Sequence, residues 1–478
     1  MRAKGSVTIF LSLALILVIA LVGSLLESAR VTVSKEIALD NSYLAAQNIL
    51  AEYQRELWND YHIFFVEVAE LKGTEGSVKL GNFYLSKMMQ GEYGDYIGAT
   101  ADFTKMGFKE NITENNCYYF TKQAVAYMKY GAAGKLGKQM LNKANILKTT
   151  ENSADAVKKG LKAKIEAEKK LIELERKKKK LEENAEKIQI KPMSKSEAKK
   201  KYKEYQKNLD NVTNEGRAGG LLGLLLPQGK MVSKLSIKHT SWNEVETMEK
   251  EKTDFIDTGL LILYAKEHFN NFLSETKENK KRDALKYGIE YLIAGKDSDE
   301  ANLSSIVNRI FAIRTLVWYG YFLSRHDKVL EAETMAAAIA GVLALPAAIE
   351  IIKTGILMGW SMDEAGKEVK TLLRGEEIPL FPGKSESIKL KYGSFLDSFL
   401  LTVISVLPTR IVKLIEQNMK LRYYDGFRAD NMFAGITGEV RIKVMPKILR
   451  LNMLDGIVQK NFSHWESFVN ISQSLCRE

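Results

Sequence analysis

The sequence contains little cysteine and little proline, and each shortage excludes a class of protein. Only two cysteines, Cys117 and Cys476, occur in 478 residues, which excludes a small disulfide-stabilised scaffold. The seven prolines are about 1.5% of the chain, well below the usual level of about 5%, and this favours a mainly helical fold. Hydrophobic residues make up 45%, so general disorder is excluded and two or three domains can form.

Long apolar runs are also scarce. Only one segment, Val7 to Leu26, has twenty residues without a charge, and a helix of that length spans about 30 Å, one bilayer hydrocarbon core. Arg2 and Lys4 precede it, so the positive-inside rule leaves the amino terminus in the cytoplasm and the rest of the chain outside. A cleaved signal peptide is the alternative, although its apolar core would be about 7–15 residues. We therefore expect a single-pass anchor in the cell membrane.

The net charge of +11 arises mainly in one segment. Between Lys158 and Lys207, 18 lysines and one arginine face nine glutamates. Aromatic residues for base stacking are nearly absent there, which argues against nucleic-acid binding. We interpret residues 151–212 as a solvated helical arm, and contact with anionic lipid or a cell-wall polymer is the alternative.

The chain after the apolar run continues with helical periodicity. Residues 24–65 contain no glycine or proline, which predicts one helix from about residue 6 to residue 60. Its expected apolar stripe runs through Ala29, Val33, Ile37, Tyr43, Ala46, Leu50, Tyr53, Leu57 and Tyr61. Leu50, Tyr53 and Leu57 are the predicted packing residues of this stalk.

Strand-like segments flank an almost wholly helical middle. Residues 92–109 alternate as a strand does, and the runs Tyr424 to Phe433 and Thr437 to Val444 predict a hairpin that turns at Ala434-Gly435. Helical patterns occupy residues 255–276, 279–295, 299–324, 328–345, 347–373 and 392–420. Within them, the apolar run Ala336 to Leu345 is interpreted as a buried helix rather than a second span.

These patterns predict a mainly α fold with a small antiparallel β part. A pilin-like sheet would pack on the stalk helix, and a large helical bundle would be inserted between its strands. The expected regions are 1–65 (span 7–26 and stalk), 66–150 (small α+β region), 151–212 (charged arm), 213–423 (helical bundle), and 424–478 (β-hairpin and tail).

The motif search predicts no catalytic, cofactor-binding or metal site. The five histidines are isolated from one another, no G-x-S-x-G elbow occurs, and Gly223 with Gly229-Lys230 fails the phosphate-loop spacing. The acidic run at residues 297–300 lacks the glycine and glutamate of a calcium loop, so Ser298 or Asp299 is expected to cap a helix instead. The two cysteines are expected to be unpaired.

The residues KGSVTIF at 4–10 resemble the start of TadE/TadG-like pseudopilins of the tight-adherence (Tad) type IVb pilus group. In those proteins a glycine after basic residues precedes the hydrophobic helix, which marks Gly5 and Ser6 as the point of membrane entry and processing. A glutamate usually follows five positions later, where Phe10 stands in this chain. The resemblance therefore leaves open whether the Gly5–Ser6 bond is cut.

Longer segments resemble an uncharacterised family of Gram-positive, single-span membrane proteins encoded beside Tad-like pilus genes. In family order they are 50–65, 120–130, 221–233, 285–303, 356–380 and 415–419. The resemblance implies an outward-facing, non-enzymatic, pseudopilin-like subunit that meets other pilus or secretion-apparatus subunits through its N-terminal helix. Two alternatives are a cell-wall-binding adhesin that acts through the charged arm, and an anchored sensor with a ligand pocket near Glu290, Tyr291, Trp360 and Glu364.

Overall fold

The computed structural model describes residues 3–68, 74–90, 98–135, 220–237, 242, 255–274, 282–342, 348–383, 388–445 and 465–476. The predicted charged arm, residues 151–212, lies outside these ranges. The chain divides into two compact units. We call them the sheet unit (Met1–Ala124, Trp242–Lys250 and Gly426–Glu478) and the helical unit (Val125–Ser241 and Glu251–Asp425).

The helices and strands follow in chain order. The first are α1 (Ala3–Ala51), α2 (Arg55–Tyr61), β1 (Val66–Glu67), α3 (Thr74–Met89), β2 (Ala99–Asn111) and α4 (Glu114–Lys135). Next come α5 (Gly220–Leu225), α6 (Phe255–His268), α7 (Gly288–Ala294), α8 (Asp299–Ser324), α9 (His326–Val342) and α10 (Ile349–Leu373). The last are β3 (Ile378–Pro379), β4 (Lys389–Leu390), α11 (Tyr392–Thr402), α12 (Leu407–Arg422), β5 (Met432–Val444) and β6 (Trp465–Ser474).

Strand β5 lies at the centre of the larger sheet. It pairs antiparallel with β2 on one side and with β6 on the other, so that Val440 lies opposite both Phe103 and Val469. The short β1 also pairs with β5, through Val66 and Phe433. One face of the sheet packs against α1 and α3, and its buried residues include Phe103, Met106, Ile436, Val440, Ile442, Val444 and Ile471. The sheet therefore packs on the first helix, as the sequence predicts.

A β-bulge between Phe103 and Lys105 interrupts the pairing of β2 with β5. Asn82 of α3 binds the backbone at this point: its Oδ1 accepts from the Phe103 N–H at 2.6 Å, and its Nδ2 donates to the Phe103 carbonyl at 3.2 Å. Because bulges leave backbone groups outside the regular ladder, this side chain both satisfies them and holds α3 on the sheet.

The predicted hairpin within residues 424–444 is wrong. Met432–Val444 is one continuous strand, and Ala434-Gly435 lies inside it. A Cβ atom at Gly435 would lie 2.8 Å from the Lys109 side chain, and one at Gly438 would lie 3.0 Å from Phe103. These glycines therefore permit the close approach of β2 instead of forming a turn.

The prediction that the first helix continues to about residue 60 is also wrong. α1 ends at Ala51, and the separate helix α2 begins at Arg55. Between the two, the Gln54 N–H donates to the Phe65 carbonyl at 2.9 Å. The backbone leaves the helix because it pairs with a later segment, and Tyr53 consequently lies in the break.

In the helical unit, α8 and α9 both pack against α10. Ala336 and Ile339 of α9 are buried beside Ile356 and Leu357 of α10. The apolar run that begins at Ala336 therefore belongs to a packed helix, as predicted.

The predicted helix over residues 392–420 is two helices. α11 ends at Thr402, α12 begins at Leu407, and the pair is bent by 112°. Pro408 lies in the first turn of α12, where its missing N–H costs no helical hydrogen bond. The pair is apolar enough for a broken membrane span, but many of its apolar residues, such as Leu400 and Ile411, are fully buried in the protein.

The described chain is mainly helical, with a small antiparallel sheet and one long N-terminal apolar helix. The predicted fold class is confirmed. The helix predicted over residues 279–295 is shorter than expected, because residues 282–287 are not helical and α7 begins at Gly288. Other predicted helices differ at their ends; α6, for example, already ends at His268.

Candidate membrane-anchoring site

The first part of α1 presents a long apolar surface. From Val7 to Leu26 its large side chains are exposed, as illustrated by Phe10 (73%) and Leu17 (71%). Exposed apolar surface costs about 25 cal/mol per Å² in water. This helix is long and apolar enough to be a membrane anchor or a signal sequence. Gly5 and Ser6 lie near its start, and their processing stays a prediction.

The second part of α1 changes character at Glu27, directly after the apolar run. A buried stripe at three- and four-residue steps consists of Glu27, Val31, Ser34, Ala38, Ser42, Ala45 and Ile49. Its apolar members belong to the core that α1 shares with the sheet, and small side chains permit close packing of a helix on strands. The Ser42 hydroxyl donates to the Ala38 carbonyl at 2.7 Å, so the buried hydroxyl is satisfied.

The predicted stripe through Ala29, Val33 and Ile37 is wrong. Ala29 is exposed, Val33 is 57% exposed, and Ile37 is only half-buried. The observed buried stripe lies on a neighbouring face of the helix and consists largely of alanine and serine. Hydropathy gives large residues the most weight, so it pointed to the wrong face.

An ion pair marks the junction between the bare and the packed parts of α1. The Arg30 guanidinium donates from Nε to Glu27 Oε2 at 3.1 Å and from a terminal nitrogen to Oε1. The same guanidinium donates to the carbonyl of Met445, the residue that follows β5. The Met445 N–H in turn donates to the Gly98 carbonyl at 2.9 Å. The end of β5 and the residue before β2 are thus fastened one helical turn beyond the apolar run.

Two large side chains are exposed at this same junction. Trp465, opposite Val444 in the sheet, is 53% exposed, and Met445 is 52% exposed. The Lys35 ammonium lies 5.4 Å from the centre of the Trp465 ring, within the range of a cation–π contact.

The predicted stalk residues lie at the opposite end of the packed part. Leu50 is 4% exposed in α1, and Leu57 is fully buried in α2. Tyr53 is half-buried, and its ring meets Phe64 edge-on at 4.9 Å. Leu50 and Tyr53 also line an open pocket of about 390 Å³ together with Gln47, Ala51, Phe64, Gln473, Ser474 and Leu475. The structure thus brings Leu50 and Tyr53 together and places Leu57 in a separate helix.

In the helical unit, Glu290 is the clearest perturbed carboxyl group among the described residues. It is fully buried, and its Oε1 accepts from the Phe272 N–H at 2.9 Å and from the Tyr392 hydroxyl at 2.8 Å. Among the described residues, Oε2 has no hydrogen-bond partner. Burial raises the pKa of Glu290 to about 7, against the opposing effect of those two hydrogen bonds. The same burial raises the pKa of Tyr392 well above its usual value.

The four residues of the suggested sensor pocket do not converge in the described structure. Glu290 and Tyr291 are neighbours on α7, whereas Trp360 on α10 packs near Phe322, with ring centres 6.1 Å apart. Glu364 pairs with Lys367 at 2.7 Å on the surface of α10. Only the first two therefore share a location.

The segment between α7 and α8 is held by its own polar side chains. Ser298 is the N-cap of α8, and its hydroxyl accepts from the Ala301 N–H at 3.3 Å, which confirms the predicted cap. Asp299 is fully buried and accepts from the N–H groups of Lys286 and Tyr287, both at 3.0 Å. The acidic run therefore caps α8 and also holds the backbone just before α7, and only the first role was predicted from the sequence.

Sequence reasoning missed the buried ion pair between α8 and α10. Arg314 is 1% exposed, and its guanidinium binds both carboxylate oxygens of Glu368, at 2.5 and 2.9 Å. It also donates to the carbonyls of Leu380 at 2.9 Å and Pro379 at 3.2 Å. A bidentate pair of this kind fixes orientation. The 54-residue separation carries no local sequence signal.

The described residues contain no group of three or more His, Cys, Asp or Glu that could hold a metal ion. Cys117 and Cys476 are both buried and are not joined by a disulfide. Burial raises the pKa of the Cys476 thiol, and its sulfur accepts a hydrogen bond from the Gln123 amide at 3.3 Å.

Comparison with known protein families gives a match to part of the helical unit. Residues 197–391 match the model of a family of unknown function, DUF5702. The matched range contains α5 to α10 and three of the six segments that carried the expected resemblance: 221–233, 285–303 and 356–380. No curated protein and no solved structure matches the chain.

Proposed function

We propose that the protein is a membrane-anchored, extracytoplasmic structural or assembly component, a pseudopilin-like subunit of a Tad-like surface filament or secretion apparatus. The observation that carries the proposal is the division of α1. One continuous helix is bare and apolar up to Leu26 and then packs along a sheet of its own chain from Glu27.

The proposed orientation of the chain in the membrane follows from the basic residues before the apolar run. Arg2 and Lys4 precede the apolar run, and basic flanks are retained on the cytoplasmic side. Under this proposal both units lie outside the cytoplasm, where the charged arm at 151–212 would also face the cell envelope.

The proposed role is non-enzymatic. The buried polar groups of the helical unit serve its internal order: Asp299 binds the backbone just before α7, and Arg314 joins α8 to α10 and to the β3 segment. Such groups hold a scaffold in one arrangement, which is what a subunit with partners requires.

Assembly would use the bare part of α1. A Cβ atom at Gly23 would meet no atom of the described residues within 4 Å, so this part of the chain leaves that face of the helix open. Glycine on a spanning helix lets a second helix approach closely. The partners would be other span-bearing subunits.

The test is site-specific cross-linking inside the membrane. A photo-reactive residue is placed at Val22, and adducts with other span-bearing proteins are compared in wild type, Gly23→Leu and the control Ile19→Leu. We expect Gly23→Leu to lower the adduct yield at least fivefold without changing the thermal transition, while the control behaves as wild type. Equal yields in all three chains would contradict assembly through this face.

A further inference from the structure

Strand β6 and the packed part of α1 run side by side. At one end, Arg30 binds Met445, next to the Val444–Trp465 pair. At the other end, Leu50 and Leu475 line the same pocket. Twenty helical residues rise about 30 Å, and ten strand residues rise about 33 Å. The two lengths agree, so the strands follow the helix axis and one end of the sheet faces the apolar run.

This end of the sheet lies at a defined height. Arg30 is four residues beyond Leu26, which is about 6 Å along the helix. The headgroup layer on each side of a bilayer is about 5–7 Å thick beyond the hydrocarbon core. If Val7 to Leu26 fills that core, the end of the sheet lies among the headgroups.

The residues at that end have the chemistry of a membrane interface. We use the name membrane rim for Arg30, Lys35, Met445 and Trp465. Trp465 is 53% exposed, although Ile471 on the same face of β6 is buried, and Met445, the residue after β5, is 52% exposed. Tryptophan and basic side chains are enriched where a protein leaves the bilayer, because a ring edge or an aliphatic stem is apolar while the other end is polar.

The position of the exposed residues along the sheet indicates which molecule contacts them. Phe468 is also exposed, at 59%, but it lies about 10 Å further along β6 and on the other face of the sheet. Single exposed apolar residues of that kind are ordinary. The membrane rim, by contrast, combines exposed apolar surface with a position next to the apolar run.

We propose that the membrane rim contacts phospholipid headgroups of the bilayer that α1 crosses, and thereby fixes the height of the sheet unit above the membrane. The Trp465 indole and the Met445 side chain would enter the interface, and the Lys35 ammonium beside the indole would face lipid phosphates. Arg30, which is paired with Glu27 and Met445, would hold this end of the sheet in place. Of the nearby acidic residues, Glu27 pairs with Arg30, Glu466 lies near Lys443, and Glu36 is exposed next to Lys35 on α1. This inference rests on the proposed anchoring.

The experiment uses the full chain in nanodiscs that contain anionic phospholipid. Lipids carry a spin label either near the headgroup or near the chain end, and tryptophan quenching is compared between wild type and Trp465→Phe. The fluorescence that Trp465 contributes is the difference in emission between the two chains. The shallow label should quench it at least twofold more than the deep label. Trp58→Phe is the control. The end of α1 at Ala51 is about 37 Å from Leu26 along the helix, and Trp58 follows it, so this substitution should leave the lipid quenching unchanged.

A second variant avoids dependence on the indole. Met445→Cys and its control Phe468→Cys are labelled with an environment-sensitive dye, since both native cysteines are buried. The dye at 445 should show blue-shifted emission and shallow-label quenching, and the dye at 468 should show neither.

The outcomes separate this inference from the anchoring. If the chain is retained in the nanodisc but positions 445 and 465 are not quenched, the membrane rim proposal is wrong while the anchor stands. A disulfide that joins two copies of the Met445→Cys chain through position 445, without lipid quenching, would also overturn it in favour of a protein contact. Failure of the chain to enter nanodiscs would overturn the anchoring itself.

Discussion

Arg30 donates a hydrogen bond to the main-chain oxygen of Met445, a residue 415 positions later in the chain. The contact joins the beginning of the packed part of α1 to the end of β5. The first helix and the last strands therefore build one unit, and the helical unit occupies the sequence between them. The apolar run is thereby connected to the sheet by packing as well as by the backbone.

Leu50→Ala tests whether the packed part of α1 is core. The Leu50 side chain is 4% exposed, and its truncation should lower the free energy of unfolding by about 2–5 kcal/mol. Leu44→Ala is the matched control: the same residue type on the same helix is 46% exposed and should lose less than about 1 kcal/mol. Denaturant unfolding of the full chain in detergent measures both. Equal losses would show that the two faces of α1 are buried alike.

Glu290 should make stability depend on pH. Its pKa is about 7 in the folded chain and near the usual 4.5 when unfolded, so between these values the folded state holds a proton that the unfolded state releases. The free energy of unfolding should decline as pH rises from about 4.5 to 7, by up to about 3 kcal/mol, and then level off.

The pH effect is checked with Glu290→Gln, which keeps an acceptor for Phe272 and Tyr392 and cannot ionise. Unfolding is measured at pH 5 and pH 8 in wild type, in this variant and in Glu333→Gln, a control at an exposed position of α9. We expect the difference between the two pH values to shrink in Glu290→Gln alone. An unchanged difference would assign the pH dependence to other groups.

The buried pair of Arg314 and Glu368 predicts a large loss when one partner is removed. Glu368→Leu leaves the Arg314 guanidinium buried without its carboxylate, which should cost about 3–5 kcal/mol of unfolding free energy. Glu364→Leu, one turn away on α10, removes only a surface pair with Lys367 and should cost less than about 1 kcal/mol. Thermal unfolding compares the two, and similar transitions would mean that the buried pair is dispensable.

The sequence predicts features whose signal is local. The twenty-residue apolar run, the cap at Ser298 and the helical middle each depend on neighbouring residues, and the structure shows all of them. The packing of the sheet on α1 was predicted because strand-like segments flank the helical middle.

The features that escaped prediction depend on contacts between distant residues. The sequence predicts a turn at Gly435, but this residue lies within a strand, where a side chain would clash with Lys109 of β2. α1 ends at Ala51 because Gln54 pairs with Phe65. Arg314 and Glu368 form an ion pair although 54 positions separate them in the sequence. Within the candidate site, the small residues Ala38 and Ala45 have too little hydropathy to mark the face that packs.

The most direct test of the account concerns the topology of the whole chain. The protein is expressed in a bacterial host with a tag after Glu478, intact protoplasts are treated with external protease, and membranes are washed with high salt. We predict that the tag is lost to the protease, that untreated full-length protein stays in the washed membrane pellet, and that it still contains Val7 to Leu26. Protection of the tag in intact protoplasts, or release of the protein into the wash, would contradict the account.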